Sequence, residues 1–152
     1  RLSIYFNTHK KYIKCKMGCS LCCEKGDYPI SQIELEYLMQ GYISLNSDLK
    51  KIVQENIKNM QKGETCPFLH EHKCTVYKYR PIICRVHGLA YLCKESIVKV
   101  PYCVNYGKNY NDVYANSEIT INPIKENLDT SSILKEYEYG EIKNLYEWIN
   151  IN

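Results

Sequence analysis

The sequence predicts a small, mostly α-helical single domain with irregular loops that wrap around cysteines, and with one short β element at most. Two segments, 31–41 and 45–61, combine helix-capping residues with apolar periodicity. The nine cysteines fall largely in stretches that contain glycine or proline rather than in these helices. A chain of 152 residues without an internal repeat or a linker has the length of one domain. We therefore expect residues 1–152 to form a single domain.

The first part of the chain leads into its densest cysteine run. Residues 1–14 alternate loosely between apolar and polar side chains, which predicts a short edge strand or an ordered arm. From Cys15 to Cys23 there are four thiols within nine residues. Gly18 gives this run the backbone freedom to wrap. We expect a loop here.

Two helices are predicted next. Ser31 and Glu34 form a capping-box pattern, so a helix should begin near Ser31 and end at Gly41. A second helix should run from about residue 45 to residue 61 and close at Gly63. Its apolar residues share one face, which we expect to pack in the core: Leu45, Leu49, Ile52, Val53 and Met60.

The second half of the chain is less regular. Pro81 suits the first turn of a short helix that Gly88 would end. Residues 89–103 are partly β-branched, which predicts a short strand or an extended segment. A closing helical region should cover 124–150, broken near Gly140. Its apolar face would be Ile142, Leu145 and Ile149.

The cysteines indicate metal ligation more than a disulfide framework, although disulfides remain the alternative. Nine thiols cannot all pair, and the chain is longer than a typical disulfide-stapled domain. Cys19 and Cys22 have the spacing of a chelating pair. One tetrahedral zinc takes four ligands, so the thiols of residues 15–23 together with those at 66, 74 and 84 indicate two sites, one larger cluster, or spare cysteines. Cys22 and Cys23 are adjacent, and neighbouring side chains are expected to point apart.

Two cations flank one of these thiols. Arg80 and Arg85 bracket Cys84 and are candidates for contacts to a negatively charged metal centre. Ordinary surface ion pairing is the alternative. A zinc with four thiolates and an oxidised [4Fe–4S] cluster with four thiolates carry similar negative charge, so charge does not identify the metal.

The cysteine pattern resembles the CxxCxxCC family of YkgJ-like cysteine-cluster proteins, which are described as zinc- or iron-chelating domains. The resemblance covers roughly residues 15–108, and Cys15–Cys19 has three intervening residues where the family typically has two. The segment from Cys103 to Lys108 is similar to a degenerate form of the family's last cysteine motif. The other matching stretches are Cys19-Ser-Leu-Cys-Cys23, Cys66-Pro-Phe-Leu69, Cys74-Thr-Val-Tyr77 and Arg80-Pro-Ile-Ile-Cys-Arg85.

This resemblance implies a set of metal-binding thiols. The implied ligands are the eight motif cysteines: Cys15, Cys19, Cys22, Cys23, Cys66, Cys74, Cys84 and Cys103. The family is also similar to the cysteine-rich part of flagellin lysine methylases, which favours an iron–sulfur cluster, most simply [4Fe–4S], over zinc. Cys93 lies outside the motif, and we expect it to be a buried apolar thiol.

The histidines are weaker candidates. His87 follows Cys84 by three residues, so on a helix it would share a face with that thiol, either as a ligand or proton carrier or as a hydrogen-bonded structural residue. His70 and His72 lie in a predicted turn before Cys74 and are expected to be solvated, with ligation as the alternative. His9 has no informative context.

Three functions are compatible with these observations. The first is an iron–sulfur protein for electron transfer or redox modification of another protein. The second is a zinc-stabilised interaction module whose partner surface would be the Tyr- and Asn-rich segment 102–117. The third is a metalloenzyme with an open metal position near Arg85, His87 or a tyrosine.

Composition and hydropathy set the expected partners and location. A net charge of +3 and the absence of a basic stripe with interleaved aromatics argue against nucleic acid, so we expect a protein partner. No apolar run approaches the roughly 20 residues needed to span a bilayer. No signal-peptide pattern is visible. The expected location is the cytoplasm.

Overall fold

A computed structural model of the chain describes residues 2–16, 18–93, 97–114 and 122–150. It confirms the predicted class, because 46% of the chain is helical and the short strands of the described residues form no barrel. Within these ranges, none of the helices has the length and apolar character needed to cross a membrane. The α-helices are α1 Leu2–Thr8, α2 Gln32–Ile43, α3 Ser47–Asn59, α4 Ile82–Val86, α5 Asn111–Tyr114, α6 Thr130–Ile133, α7 Glu136–Tyr139 and α8 Leu145–Ile149.

The described strands form two-stranded antiparallel sheets. β1 (Pro29–Ser31) pairs antiparallel with β6 (Ile142–Asn144), with Ile30 opposite Lys143. β2 (Leu69–His70) and β3 (Lys73–Cys74) form a hairpin, as do β4 (Tyr91–Leu92) and β5 (Val98–Lys99). The last hairpin confirms the extended segment predicted within 89–103.

The backbone falls into two compact units. Unit 1 comprises Arg1–Lys16 and Arg85–Ile133, and unit 2 comprises Met17–Cys84 and Leu134–Asn152. The expectation of one domain over residues 1–152 stays a prediction. The division matters for function because it sorts the cysteines: Cys15, Cys93 and Cys103 are in unit 1, and the other six are in unit 2.

Unit 2 is built on the two predicted helices. The capping box of α2 is present, since Ser31 Oγ accepts from Glu34 N–H and the Glu34 carboxylate accepts from Ser31 N–H. Asn46 caps α3 with a single bond, in which its side-chain oxygen accepts from Leu49 N–H (2.9 Å). Of the predicted core face of α3, Val53 is fully buried and Leu45 packs against the same core, whereas Leu49, Ile52 and Met60 are half-buried. The buried core is Ile30, Leu38, Val53, Phe68, Val76 and Leu145.

Unit 1 has a smaller core that is centred on Tyr110. The Tyr110 ring stacks on the Tyr12 ring with centroids 5.8 Å apart. The backbone N–H of Tyr110 donates to the Tyr12 carbonyl (2.9 Å). Ala90 and Val113 complete the buried cluster. β4 continues this packing, because it pairs with β5 on one side and forms a parallel bridge to Ile124 on the other.

Three local predictions were wrong. Residues 2–8 form α1, which contradicts the edge strand that was one of the two alternatives predicted for residues 1–14, and a 3₁₀ turn follows at Lys10–Tyr12. α3 ends with an extended residue at Met60, so Gly63 (φ 78°) belongs to the following turn and does not close the helix. Gly140 (φ 74°) does break the last region, but Ile142 behind it lies in β6 and not on a helical face.

The segment 102–117 was predicted to be an exposed surface, and its described residues 102–114 are exposed only in part. Its residues 115–117 lie outside the described part of the chain. Within 102–114, Asn109 is fully buried, Tyr110 is 1% exposed, and Cys103 and Val113 are also buried. Of the four tyrosine rings in 102–114, that of Tyr110 is buried in the core and that of Tyr102 is half-buried, whereas Tyr106 and Tyr114 are exposed.

The buried His9 is expected to make unit 1 sensitive to acid. His9 Nδ1 lies 2.9 Å from the Tyr110 hydroxyl, and burial lowers the pKa of the imidazole below its ordinary value. The unfolded chain then binds more protons as the pH falls below about 6.5, so stability is lost in that direction and is retained above it. Melting curves between pH 5 and 7.5 should show this loss in the wild type and a flatter profile in H9Q, which cannot titrate. Equal slopes for the two proteins would contradict the assignment.

Candidate metal centre

The cysteine loop of unit 2 is a compact turn. The Ser20 carbonyl accepts hydrogen bonds from Cys23 N–H (2.7 Å) and Glu24 N–H (3.0 Å). This tight turn brings the Cys22 and Cys23 sulfurs to 4.0 Å from each other. The expectation that these neighbours point apart was therefore wrong, because it assumed extended backbone. Cys19, at the start of the turn, is half-buried.

Cys66 is joined directly to this loop. Its N–H donates to the Cys23 carbonyl (2.7 Å), and Gly26 N–H donates to the Glu64 carbonyl (3.0 Å). The two segments approach so closely that a Cβ atom on Gly26 would stand 2.4 Å from Cys66 Cβ. Glycine is thus required at position 26 by contact, at the point where the first and second cysteine groups meet.

The β2–β3 hairpin brings in Cys74. Leu69, whose N–H donates to the Cys66 carbonyl (3.0 Å), lies directly opposite Cys74 in the antiparallel register. Asn56 on α3 holds the strand that follows Cys66, because its amide donates to the carbonyls of Pro67 (3.0 Å) and Leu69 (3.3 Å). Cys66 and Cys74 both pack against the core of unit 2, so the site lies at the edge of that core.

The fourth segment carries Cys84 on α4, the short helix predicted after Pro81. Ile82 N–H, at the start of α4, donates to Glu34 Oε1 (2.7 Å). The other oxygen of Glu34 completes the capping box of α2. One carboxylate therefore fixes the beginnings of two helices. Glu34 was identified from the sequence as a cap, but its second contact could not be read from local spacing.

The thiols of unit 2 interact electrostatically. A hydrogen bond from Cys23 lowers the pKa of Cys22 to about 7, which biases it towards the thiolate. The same bond, together with burial, raises the pKa of Cys23. Burial raises the pKa of Cys66 to about 12, and the charges of Cys74 and Cys22 add to this effect. The pKa of Cys84 is raised mainly by burial and further by the charges of the other thiols. Several thiolates in one place need a cation to be stable.

Arg80 supplies positive charge to this group. Its charge lowers the pKa of Cys22, and it opposes the rise in pKa that burial causes at Cys74 and Cys84. The guanidinium lies over the Tyr77 ring at 3.5 Å, and its Nε–H donates to the Tyr77 carbonyl (3.0 Å). Tyr77 thus orients the arginine. Arg85 follows Cys84 on α4 and is half-buried.

The donor set fits a thiolate-bound metal, although the side chains do not converge as they stand. All nine cysteines are free thiols. Across the described ranges, no three Cys, His, Asp or Glu side chains are close enough together to hold one ion. Soft thiolates are nevertheless the ligands that zinc and iron–sulfur clusters take.

The remaining three cysteines have separate surroundings in unit 1. Cys15 is exposed, and its sulfur accepts from the amide of the fully buried Asn109 (3.1 Å). Cys103 is buried. Cys93 was expected to be buried and apolar, but it is half-buried and its sulfur donates to the Ile97 carbonyl (3.2 Å). The thiol reaches this carbonyl because Cys93 N–H donates to the same Ile97 oxygen, which holds the two residues side by side.

The histidines divide between the two units. His87 follows the end of α4 in unit 1, where burial and then the Lys99 charge lower the pKa of its imidazole. His72 lies in the turn between β2 and β3, as predicted, whereas His70 is the last residue of β2. His72 is solvent-exposed, but its Nδ1 also lies 3.1 Å from Ser20 Oγ. The two residues are 52 positions apart, so no local sequence pattern could predict this contact.

Comparisons with known proteins are consistent with this chemistry. No curated protein and no solved structure shows significant similarity to the chain. Residues 14–111 match one family model, CxxCxxCC, which is described as "Putative zinc- or iron-chelating domain". The matched range includes all of the cysteines described above. Because it covers more than half of the chain, this protein belongs to the CxxCxxCC family of metal-chelating, cysteine-cluster proteins.

Proposed function

We propose that the chain is an iron–sulfur protein that exchanges electrons with another protein or assists its redox modification. The observation that carries this proposal is that backbone contacts join the loop 19–23, Cys66 and the hairpin that holds Cys74, and that electrostatic coupling among the thiols extends to Cys84. A [4Fe–4S] cluster takes four thiolates. Unit 2 holds six cysteines, enough for one such cluster and equally enough for one zinc. The choice of iron over zinc therefore rests on the resemblance of the family to the cysteine-rich part of flagellin lysine methylases.

Each candidate ligand has a place in this proposal. Cys66, Cys74 and Cys84 are held by hydrogen-bonded backbone, and Cys22 is biased towards the thiolate. When bound, a cluster would supply one-electron transfer. Arg80 would stabilise the charge of the thiolates, and Arg85 is proposed to help it. The further proposed metal-binding thiols are Cys19 and Cys23 in unit 2 and Cys15 and Cys103 in unit 1.

Metal and sulfide analysis tests the proposal. The full chain, purified without oxygen, should contain iron and acid-labile sulfide in similar amounts and absorb visible light. C84S should lose most of both, whereas C93S, at the cysteine outside the family motif, should keep them. A colourless protein with stoichiometric zinc and no sulfide would overturn the iron–sulfur assignment.

A structural zinc module is the second candidate. Cys66 and Cys74 pack directly against the core of unit 2, which is where a stabilising metal would act on the fold. This candidate predicts two zinc ions per chain without sulfide, and protection of all the thiols from alkylation. Protein that contains neither metal excludes both candidates.

Replacing Arg80 by glutamine should weaken metal retention. The arginine charge lowers the pKa of Cys22 and opposes the raised pKa values of Cys74 and Cys84, so its loss makes thiolate formation harder. We expect about a tenfold loss of affinity at fixed pH and a shift of the pH of half-release to higher values. K78Q removes one positive charge from the neighbouring 3₁₀ turn and serves as the control. Equal retention by R80Q and K78Q would contradict the role given to Arg80.

A further inference from the structure

The turn of the β2–β3 hairpin is strained. His70 pairs with Lys73, so the loop has only two residues, Glu71 and His72. Their φ angles are 46° and 60°, the signature of a type I′ turn, which strongly favours Asn-Gly. Neither residue is glycine, and positive φ is unfavourable for both. Strain of this kind persists only where surrounding contacts maintain it, and it often marks a functional site.

One contact of this turn reaches the cysteine loop. His72 Nδ1 lies 3.1 Å from the hydroxyl of Ser20, a residue that is 6% exposed. The Ser20 hydroxyl donates its single hydrogen to Glu24 Oε1 (2.7 Å). Its oxygen must therefore accept from His72, so the Nδ1 atom of His72 carries a proton.

Ser20 is also the residue that folds the cysteine loop. Its carbonyl accepts the N–H groups of Cys23 and Glu24, and this turn brings Cys22 and Cys23 together. At the other end of the turn, the Cys23 carbonyl accepts from Cys66 N–H. The loop is thus fixed on one side by Cys66 and on the other by the His72–Ser20–Glu24 chain of hydrogen bonds.

We propose that His72 is a positioning residue of the metal centre, held in a strained turn so that its imidazole fixes Ser20 and thereby the backbone that presents Cys22 and Cys23. The inference rests on the proposed function, in which these thiols bind metal. It explains why the turn keeps histidine at a position where glycine would be favoured.

Two matched glycine variants separate positioning from turn stability. E71G and H72G each relieve one positive φ in the same turn, but only H72G removes the imidazole from Ser20. E71G, which keeps the imidazole of His72, should melt at or above the temperature of the wild type when both proteins are loaded with metal. The full chain, prepared without oxygen, is then titrated with EDTA, and the metal that it retains is measured.

H72G should lose half of its metal at an EDTA concentration about 10- to 100-fold lower than the wild type, the usual cost of removing a residue that supports a ligand. E71G should match the wild type. S20A should behave like H72G, and the double variant should lose little more than either one, because both substitutions break the same chain of contacts.

The outcomes distinguish the inference from the function on which it rests. Equal EDTA sensitivity of H72G and E71G overturns the positioning role while leaving metal binding intact. If H72G does not fold, S20A decides, and wild-type retention by S20A overturns the role. A wild-type chain without metal overturns the proposed function, and the inference falls with it.

Discussion

Removing the metal with excess EDTA is expected to abolish the cooperative melting transition of unit 2 or to lower its melting temperature strongly. Metal binding to thiolates that are assembled only in the fold contributes directly to folding free energy, about 10 kcal/mol or more for a structural site. Without the ion, burial raises the pKa of Cys66 to about 12 and also raises that of Cys84, so these thiols remain protonated and hold nothing together. Circular dichroism during heating, without oxygen, measures the change.

The control for this experiment is EDTA already saturated with zinc, in a buffer of matched ionic strength, which has no free chelating capacity. It should leave the transition in place. Identical melting with free and saturated EDTA, in protein shown to have lost its metal, would mean that the ion does not contribute to the fold.

The substitution with the largest expected effect on stability is F68A. Phe68 is 2% exposed and belongs to the core of unit 2, between Cys66 and Cys74 in the sequence. Truncating a buried phenylalanine typically costs about 3–5 kcal/mol through lost burial and the cavity that remains. The backbone contacts of residue 68, where its carbonyl accepts from Thr75, are unchanged by the substitution. Urea unfolding curves give the free energy directly.

I43A provides the matched control for F68A. Ile43 lies at the end of α2 with 67% of its surface exposed, so removing its side chain should change stability by less than about 0.5 kcal/mol. A loss below 1 kcal/mol for F68A would contradict the core assignment. We also expect F68A to release metal more readily, because the two cysteines that flank it pack on the same core.

The helices that could be predicted are those specified by local sequence. α2 begins at a capping box that is complete within four residues, and α3 combines an asparagine cap with a continuous apolar face around Val53. Both signals lie inside the element that they specify. α4 was predicted for the same reason, since Pro81 and Gly88 bracket it.

The elements that were missed either pair with a distant part of the chain or have an apolar pattern that fits both a strand and a helix. Leu2, Ile4 and Phe6 alternate as in a strand, yet α1 is helical, because a segment of seven residues is too short for periodicity to distinguish the two. β6 was read as part of a helix because its partner, β1, lies more than a hundred residues earlier in the chain. No local pattern records such a pairing.

The site divides in the same manner. Cysteine spacing predicted the candidate ligands and the family, and the family match confirms the metal-chelating class. The residues that hold those cysteines in place were invisible, because Glu34 reaches Ile82 across 48 positions and Ser20 reaches His72 across 52. A buried amide such as that of Asn109, whose oxygen accepts from the backbone of Lys14 and Cys15, likewise has no signature in sequence.

The pairing of β1 with β6 has a consequence for biosynthesis. Every cysteine of unit 2 has been translated once Cys84 is added, but the strand that completes the β1–β6 pair is made some sixty residues later. At roughly 5–20 residues per second, a ribosome needs several seconds to supply it. During that interval the nascent chain presents its thiols on an unfinished scaffold, open to oxidation and to competing metals. Correct loading in the cell therefore favours an ion or cluster donor that acts after residue 144 has emerged.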